Sequence, residues 1–146
     1  MPRVFVSAII PAPAETVWDR IRDFNGLPGW LPLVADSQLL EGRSGDQVGA
    51  VREIILQNGD RITETLVSMS DFDLSFSYTM GDTPMPLENY FATLRLTPVT
   101  ETDQTFAEWS AEFDCAPEEE QGLVGTISDD VFAAGFAALA RRFEGA

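Results

Sequence analysis

The sequence predicts an α+β fold in which a curved antiparallel sheet of about seven strands wraps around one long C-terminal helix. In residues 117–143, apolar side chains recur at helical intervals. From residue 33 to residue 115, apolar and polar side chains alternate with a period of two, and turn residues interrupt the alternation at regular intervals. A helix on the order of 35 Å long cannot bury its apolar face without a large partner. The predicted strands supply that partner.

The chain opens with a strand, a short helix and an apolar turn. Residues 4–10 are rich in β-branched side chains and predict the strand, which two prolines in residues 11–13 bring to an end. Residues 14–24 predict a short amphipathic helix. One face of this helix carries Val17, Trp18, Ile21 and Phe24. The turn at residues 25–32 contains glycine and proline but also Trp30, so we expect it to cover part of the core.

Six further strands complete the predicted sheet. Asn58 and Gly59 form the strongest hairpin signal, because both residue types tolerate the positive φ angles of a tight turn. In the last strand the odd-numbered positions of residues 105–113 should face the helix, since they are apolar or small. In the preceding strand the matching inner face is Tyr90, Ala92, Leu94 and Leu96. The six strands are predicted at residues 34–40, 50–57, 62–69, 73–80, 87–97 and 105–115.

The C-terminal helix has clear end signals and two faces. Pro117 stands at its start, three glutamates follow, and two arginines lie in the last turn, an order that complements the helix dipole. Its apolar face comprises Val124, Ile127, Val131, Phe132, Gly135, Phe136, Leu139 and Phe143. Thr126, Asp129, Asp130 and Arg141 are predicted on the opposite face. Towards the N-terminal half the apolar face is built from small residues such as Val131 and Gly135, which indicates either space for a ligand or close packing on the sheet.

Composition limits the classes of function. The 146 residues, 45% of them hydrophobic, predict one domain spanning residues 1–146. A net charge of −15 argues against nucleic-acid binding and against stable membrane association, because phosphate groups would be repelled. The short apolar run near the N-terminus does not fit a signal peptide, and no apolar stretch is expected to span a bilayer. We therefore predict a cytoplasmic protein, whose oligomeric state the sequence does not indicate.

The chain has no histidine and a single cysteine, Cys115. Histidine-dependent triads, usual zinc sites and internal disulfides are therefore excluded. Cys115 is expected to be a small, buried or half-buried residue at a strand end. No metal and no cofactor are predicted. Any chemistry must use carboxylates, tyrosine hydroxyls or arginine.

Several segments together resemble one known superfamily. They are IPAPAETVW at residues 10–18, WLP at residues 30–32, GAVR at residues 49–52, and ITETL at residues 62–66, followed by the long helix. In this order they resemble the SRPBCC superfamily, which includes START and birch-pollen-allergen-like domains, and in particular its polyketide cyclase/dehydrase-like branch. The resemblance implies a helix-grip fold with a cavity between the sheet and the C-terminal helix. It does not imply one function, because this fold hosts carriers, receptors and enzymes.

Glu64 is the first candidate for the site. It shares a strand face with Ile62 and Leu66, so an inward orientation would place its carboxylate in an apolar chamber. Arg52, on the adjacent hairpin strand, would then be its partner. The alternative is a cross-strand pair on the outer face of the sheet. The resemblance favours the inward orientation.

Further candidates come from the inferred inner face and from the mouth of the cavity. The Tyr90 phenol can donate a hydrogen bond to a ligand, although a core tyrosine is an equal alternative. Trp109 lies on the same face and is also explained by core packing. The loop at residues 81–86, which follows Tyr78, is expected at the cavity mouth as a gate, together with Trp30. The alternative is that such apolar loops simply cap the core. The remaining predicted ligand-binding residues are Val131 and Gly135 on the helix.

These residues support three functional hypotheses. The first is binding of a small hydrophobic molecule, such as a lipid, an aromatic polyketide or an isoprenoid, oriented by Arg52, Glu64 and Tyr90. The second is a cyclase or aromatase-like enzyme in which Glu64 acts as general acid or base. The third is a protein-interaction module without a ligand. The sequence leaves open whether a reaction is catalysed, and the identity of the ligand.

Overall fold

The computed structural model describes residues 1–144. It contains a seven-stranded antiparallel sheet with the strand order β1-β7-β6-β5-β4-β3-β2. The strands are β1 (Arg3–Ile10), β2 (Val34–Leu40), β3 (Val51–Leu56), β4 (Arg61–Ser70), β5 (Ser75–Met80), β6 (Glu88–Val99) and β7 (Gln104–Asp114). Strands β2 to β6 each pair with the next strand along the chain, and β1 pairs with β7. The predicted α+β helix-grip architecture is therefore confirmed.

The inner face of the sheet follows the predicted alternation. All the odd-numbered residues from Thr105 to Phe113 of β7 are buried, and so are the four predicted inner residues of β6. The pairing register is irregular at three places, between Val34 and Asp36, between Leu66 and Ser68, and between Glu88 and Phe91. Such bulges bend strands, and here they accompany the curvature of the sheet around the helix.

Helix α1 (Ala14–Ile21) closes one end of the sheet. Its buried residues include Val17, Trp18 and Ile21, as its amphipathic pattern predicts. The indole Nε1 of Trp18 donates a hydrogen bond to Asp71 in the β4–β5 turn, at 2.7 Å. The helix ends three residues earlier than the predicted Phe24, and a short 3₁₀ turn (Leu27–Gly29) follows. Both Phe24 and the turn residue Trp30 are buried in the core.

The C-terminal helix α2 (Pro117–Phe143) is continuous but not uniformly α-helical. Its middle segment, Thr126–Ala133, is wound as a π-helix. Buried Ile127 and Phe132 are five residues apart, and the i→i+5 hydrogen bonding of a π-helix keeps residues at that spacing on one face. The polar residues Thr126, Asp129 and Asp130 of this segment are exposed, as the helical pattern predicts.

Helix α2 is also long and apolar enough to cross a membrane, by length and composition alone. This corrects the expectation that no stretch of the chain meets that criterion. Phe132, Phe136 and Leu139 of the helix are fully or almost fully buried, and the Phe132 ring stacks on Trp109 of β7 with ring centroids 4.2 Å apart. These are the contacts of a helix that forms the core of the fold.

Gly135 lies where the helix approaches the sheet and the apolar turn most closely. A Cβ atom at this position would lie 2.6 Å from Cδ1 of Leu31 and 3.2 Å from Cζ3 of Trp109. Trp30 would be 3.4 Å away. Of the two alternatives that the sequence left open for Gly135, the structure supports close packing.

Replacing Gly135 by alanine should therefore destabilise the protein although alanine is the better helix former. We expect the Gly135→Ala variant to lose about 1–2 kcal/mol of unfolding free energy, because a buried leucine and two indole rings must shift. The matched control is Gly122→Ala, since Gly122 lies in the same helix and a Cβ there meets no atom within 4 Å.

The control variant Gly122→Ala should gain about 0.5–1 kcal/mol of unfolding free energy, the usual benefit of alanine over glycine in a helix. Urea unfolding of both variants measures the difference. An equal gain at the two positions would contradict the close packing at Gly135.

Candidate functional site

A cavity of about 290 Å³ lies between the inner face of the sheet and the π-helical segment of α2. Its walls are mainly apolar and come from β2 to β7, from the turn after α1 and from helix α2. The lining residues include Leu27, Leu31, Val34, Ile54, Ile62, Met80, Met85, Ile127 and Val131. A wider groove of about 570 Å³ between residues 85–88 and 114–116 is an open feature of the surface. The cavity beside α2 is less open to solvent than this groove, and it is therefore the candidate site.

Arg52 and Glu64 form a buried ion pair in the wall of this cavity. They are direct cross-strand partners in β3 and β4, and the neighbouring Ile62 and Leu66 put their face of the sheet inside. Arg52 is 2% exposed and Glu64 5%. The guanidinium donates to Oε1 of Glu64 from Nε at 2.9 Å and from Nη2 at 2.6 Å. Of the two orientations that the sequence left open, the structure has the inward one.

The guanidinium of Arg52 has further partners that compensate its removal from water. Its Nη1 donates a hydrogen bond to the backbone carbonyl of Phe24. The charged group also lies over the Phe24 ring, 3.7 Å from the ring centroid, and 5.2 Å from that of Tyr78. Aromatic faces attract cations, most strongly where water is excluded. Arg52 is therefore fixed in position by an ion pair, a backbone carbonyl and two rings.

The carboxylate of Glu64 keeps one oxygen available. Both hydrogen bonds from Arg52 go to Oε1, and Oε2 accepts none from the residues that the structure describes. Because Glu64 lines the cavity, this oxygen is the natural acceptor for a donor group of a bound molecule. A hydrogen bond to a charged acceptor contributes about 1.5–3 kcal/mol, so a ligand that donates to Oε2 would gain affinity.

Tyr78 and Tyr90 add two hydroxyl groups to the cavity wall. Burial raises the pKa of both phenols, and the nearby Glu64 carboxylate raises each further. Both tyrosines therefore stay protonated over the physiological range. Trp109 Nε1 donates to the Tyr78 hydroxyl oxygen at 3.1 Å, which leaves the Tyr78 O–H free to donate elsewhere.

The structure brings together most, but not all, of the predicted ligand-binding residues. Those that line the cavity are Arg52, Glu64, Tyr78, Tyr90, Trp109 and Val131. Trp30 and Gly135 are not among the lining residues. Trp30 packs behind the wall against Trp109, with ring centroids 5.7 Å apart, and it meets Gly135 there. Trp30 is thus part of the core and not part of a gate, whereas Met85 of the predicted gate loop does line the cavity.

Four polar lining residues were missed from the sequence: Asn58, Asp60, Thr126 and Asp130. Thr126 and Asp130 were assigned to the solvent face of the helix; both are exposed, and they also line the cavity. The available signal was the three-residue spacing between Ile127 and Asp130, which places the two residues side by side on a helix. Asn58 and Asp60 belong to the predicted hairpin turn, whose position over the cavity no local pattern reveals.

The site offers hydrogen bonding and charge without a metal centre. Within residues 1–144, no three side chains of the histidine, cysteine, aspartate or glutamate type converge as metal ligands. Cys115, just beyond β7, is partly buried, and burial raises the pKa of its thiol with help from the nearby Glu120 and Glu119. Chemically, the cavity can hold a largely apolar molecule. Its wall can donate hydrogen bonds to the polar groups of that molecule or accept hydrogen bonds from them.

Comparison with known proteins identifies the family. A family model described as polyketide cyclase/dehydrase and lipid transport matches residues 1–144. A comparison with curated protein sequences gives no match. The solved structure of XoxI from Bacillus cereus is 30% identical, covers 99% of this chain and 97% of its own, and has a TM-score of 0.89. A Thermobifida fusca protein is 35% identical, with coverages of 97% and 93% and a TM-score of 0.87.

A more distant structure shows the same fold in an enzyme. Norcoclaurine synthase from Thalictrum flavum is 16% identical, covers 96% of this chain and 92% of its own, and has a TM-score of 0.75. At that identity the likeness concerns the fold alone. The match over nearly the whole sequence and the helix-grip architecture agree, and the chain therefore belongs to the SRPBCC-type polyketide cyclase/dehydrase and lipid transport family.

Proposed function

We propose that this protein binds one small, largely apolar molecule in the cavity between the sheet and helix α2. The observation that carries the proposal is the buried Arg52–Glu64 pair, which presents a free carboxylate oxygen inside a mainly apolar chamber. A few convergent polar groups in an apolar pocket are typical of ligand sites. The predicted ligand-binding roles of Arg52, Glu64, Tyr78, Tyr90, Trp109 and Val131 are part of this proposal.

The volume of the cavity limits the size of the molecules that can bind in it. Its volume of about 290 Å³ lies at the lower end of the range for pockets that hold drug-sized ligands. A cavity of about 150 Å³ accommodates benzene. A molecule with one or two rings, or a short branched chain, therefore suits this cavity, whereas a diacyl lipid does not.

The polar groups of the cavity wall indicate which functional groups a ligand should carry. The hydroxyls of Tyr78 and Tyr90 are donors, and Oε2 of Glu64 is an acceptor. A phenol or an alcohol next to a carbonyl would use both kinds of group. Within the broad range of lipids, polyketides and isoprenoids, we therefore favour small aromatic hydroxy or keto compounds. The predicted cytoplasmic location stays a prediction.

A second candidate function, catalysis by Glu64, is favoured by the same free oxygen. An ionised carboxylate with one unpartnered oxygen can accept a proton from a carbon next to a carbonyl group. The Tyr78 and Tyr90 hydroxyls would then stabilise the enolate oxygen that forms. Such a cyclase-like reaction requires Glu64 for turnover, whereas a carrier needs it only for part of the affinity.

Filling the cavity should abolish binding without unfolding the protein. The Val131→Phe variant places a larger side chain on the helix wall of the cavity, so we expect it to lose most of its affinity for 2-(1-naphthyl)ethanol, a neutral two-ring probe. The control, Val67→Phe, carries the same exchange at an exposed position of β4. Isothermal titration calorimetry measures the affinity of both variants for this probe.

Equal affinity of the two variants, with circular dichroism showing both folded, would contradict binding in the cavity. Native mass spectrometry of the protein as purified provides an independent measurement. A co-purifying molecule present in the wild type but absent from Val131→Phe would identify the natural ligand class.

Separating stability from binding at the ion pair requires two variants. The Glu64→Gln variant leaves Arg52 buried without its counter-charge, and we expect it to lose about 3–5 kcal/mol of unfolding free energy. Replacing both partners, as in Arg52→Met with Glu64→Leu, should restore much of that stability because neither charge remains.

If the pair serves ligand binding, the double variant should still bind the naphthyl alcohol about 5- to 10-fold more weakly than wild type, the usual effect of losing one hydrogen bond. Unchanged affinity in a stable double variant would show that the pair has no part in recognition. If the Glu64→Gln variant still turned over a candidate substrate, catalysis by Glu64 would be excluded.

The two tyrosines of the chain should resist ionisation while the protein is folded. Burial raises the pKa of Tyr78 and Tyr90 above the ordinary value of 10.0. Between pH 10 and the pH of unfolding, the unfolded chain loses protons that the native protein keeps, so the unfolding free energy should fall as pH rises. Below pH 10 this contribution is fully present.

An ultraviolet pH titration checks this expectation, because tyrosinate absorbs at longer wavelength than tyrosine. Absorbance should appear only together with loss of the circular dichroism signal. Gradual ionisation of either tyrosine near pH 10 in the folded protein would contradict their burial in the cavity wall.

A further inference from the structure

We propose that the protein has a second binding site, a surface groove that holds the carboxylate end of a small apolar acid. The groove lies between the apolar turn at residues 28–32 and the C-terminal half of α2, and its volume is about 220 Å³. We call it the Trp30 groove. The indole Nε1 of Trp30 and the guanidinium of Arg142 are the groups that bind the carboxylate. This site is distinct from the cavity and does not depend on the function proposed for it.

The indole of Trp30 carries a hydrogen-bond donor without an acceptor. Trp30 is 5% exposed, and its Nε1 is one of two buried side-chain polar atoms within residues 1–144 that have no hydrogen-bond partner. The other two tryptophans of the chain have acceptors, since Trp18 donates to Asp71 and Trp109 donates to Tyr78. A buried donor without an acceptor is costly and rare in folded proteins. The unpaired N–H of Trp30 therefore indicates that an acceptor from outside the chain belongs there.

Two observations place this donor at the Trp30 groove. Trp30 itself lines the groove. The Cζ3 edge of its indole faces helix α2, where a Cβ atom added at Gly135 would lie 3.4 Å away. Nε1 belongs to the opposite edge of the indole, so it lies on the side that this helix contact does not occupy. An acceptor that enters the groove is the partner that Nε1 lacks.

Arginine side chains without a counter-charge border the same turn. Arg142 lines the groove from the last turn of α2 and is exposed. Nη2 of Arg20 donates to the carbonyl of Gly29, a lining residue, at 2.7 Å, and Nε of Arg20 is the second buried atom without a partner. Among the described residues, neither arginine has a carboxylate oxygen within 4.0 Å. In a chain with a net charge of −15, this local excess of positive charge favours an anion.

The remaining walls of the groove determine the class of anion. A carboxylate has two oxygens, so one can accept from Nε1 of Trp30 and the other from the guanidinium of Arg142. The volume of the groove exceeds the roughly 150 Å³ that accommodates benzene. An aromatic or short branched carboxylic acid therefore fits better than a bare inorganic anion. The apolar lining residues are Pro28, Leu31, Pro32, Val34 and Ala138.

The Trp30 groove and the cavity lie back to back. Leu31 and Val34 line both of them, so the two spaces share a wall. The polar groups of the cavity, which include the Arg52–Glu64 pair, do not line the groove. A variant that fills the cavity should therefore leave the groove able to bind.

Titration with benzoate tests the site, with the indole N–H signals of ¹⁵N-labelled protein as the readout. Benzoate should move the Trp30 signal downfield, because a proton donated to a charged acceptor is deshielded. The signals of Trp18 and Trp109 should move little, since their protons already have acceptors. Benzyl alcohol, the uncharged control probe, should bind about three- to fivefold more weakly because it cannot form an ion pair with Arg142.

Variants assign the binding to the groove. Arg142→Gln should weaken benzoate binding about three- to fivefold, the usual effect of losing an exposed ion pair. Arg141→Gln is the matched control, since Arg141 is the exposed neighbour that does not line the groove. It removes the same charge from the same turn, and we expect it to keep the wild-type affinity. Val131→Phe, which fills the cavity, should also bind benzoate like wild type.

The outcomes separate this inference from the function proposed for the cavity. A Trp30 signal that does not respond to benzoate would overturn the second site. Equal losses of affinity in Arg142→Gln and Arg141→Gln would also overturn it, since only the overall charge would then matter. Loss of benzoate binding in Val131→Phe would assign the acid to the cavity, which would overturn this inference and support the proposed function.

Discussion

The packing of one long helix against a curved sheet is the constraint on which the rest of the structure depends. The aromatic residues of the C-terminal half of α2 stack on Trp109 and fill the space between the helix and the sheet. Gly135 allows the backbone to approach there. Towards the N-terminal half of α2 the side chains are smaller, and the same two surfaces diverge around the cavity. The core and the cavity are therefore two ends of one interface.

The buried ion pair between Arg52 and Glu64 lies in the part of that interface that surrounds the cavity. A charged pair rarely stabilises a fold more than apolar residues of similar volume would, because both charges must leave water. Arg52 and Glu64 nevertheless occupy the wall of the cavity, where two aromatic rings and a backbone carbonyl hold the guanidinium. The pair is therefore fixed in the wall, and it leaves Oε2 of Glu64 outside its two hydrogen bonds.

The candidate site was predictable only where local pattern and register agreed. Glu64 shares the face of Ile62 and Leu66, so its inward orientation followed once the apolar face was identified. Trp30 was placed at the mouth because its turn is apolar, but the indole packs into the core instead. Thr126 and Asp130 were missed as lining residues because they are exposed, and an exposed position on a helix does not show that a cavity opens beside it.

The sequence by itself determined the approximate positions of the strands and helices, the antiparallel class of the sheet and the inner face of its last two strands, because periodicity and turn residues are local properties of the chain. It also determined the family, through segments spread over its whole length. The tertiary structure alone decided the volume of the cavity, the close approach at Gly135 and the position of Asp130 and Asp60 at its mouth. These features arise where residues distant in sequence meet, and small shifts in winding or register change them.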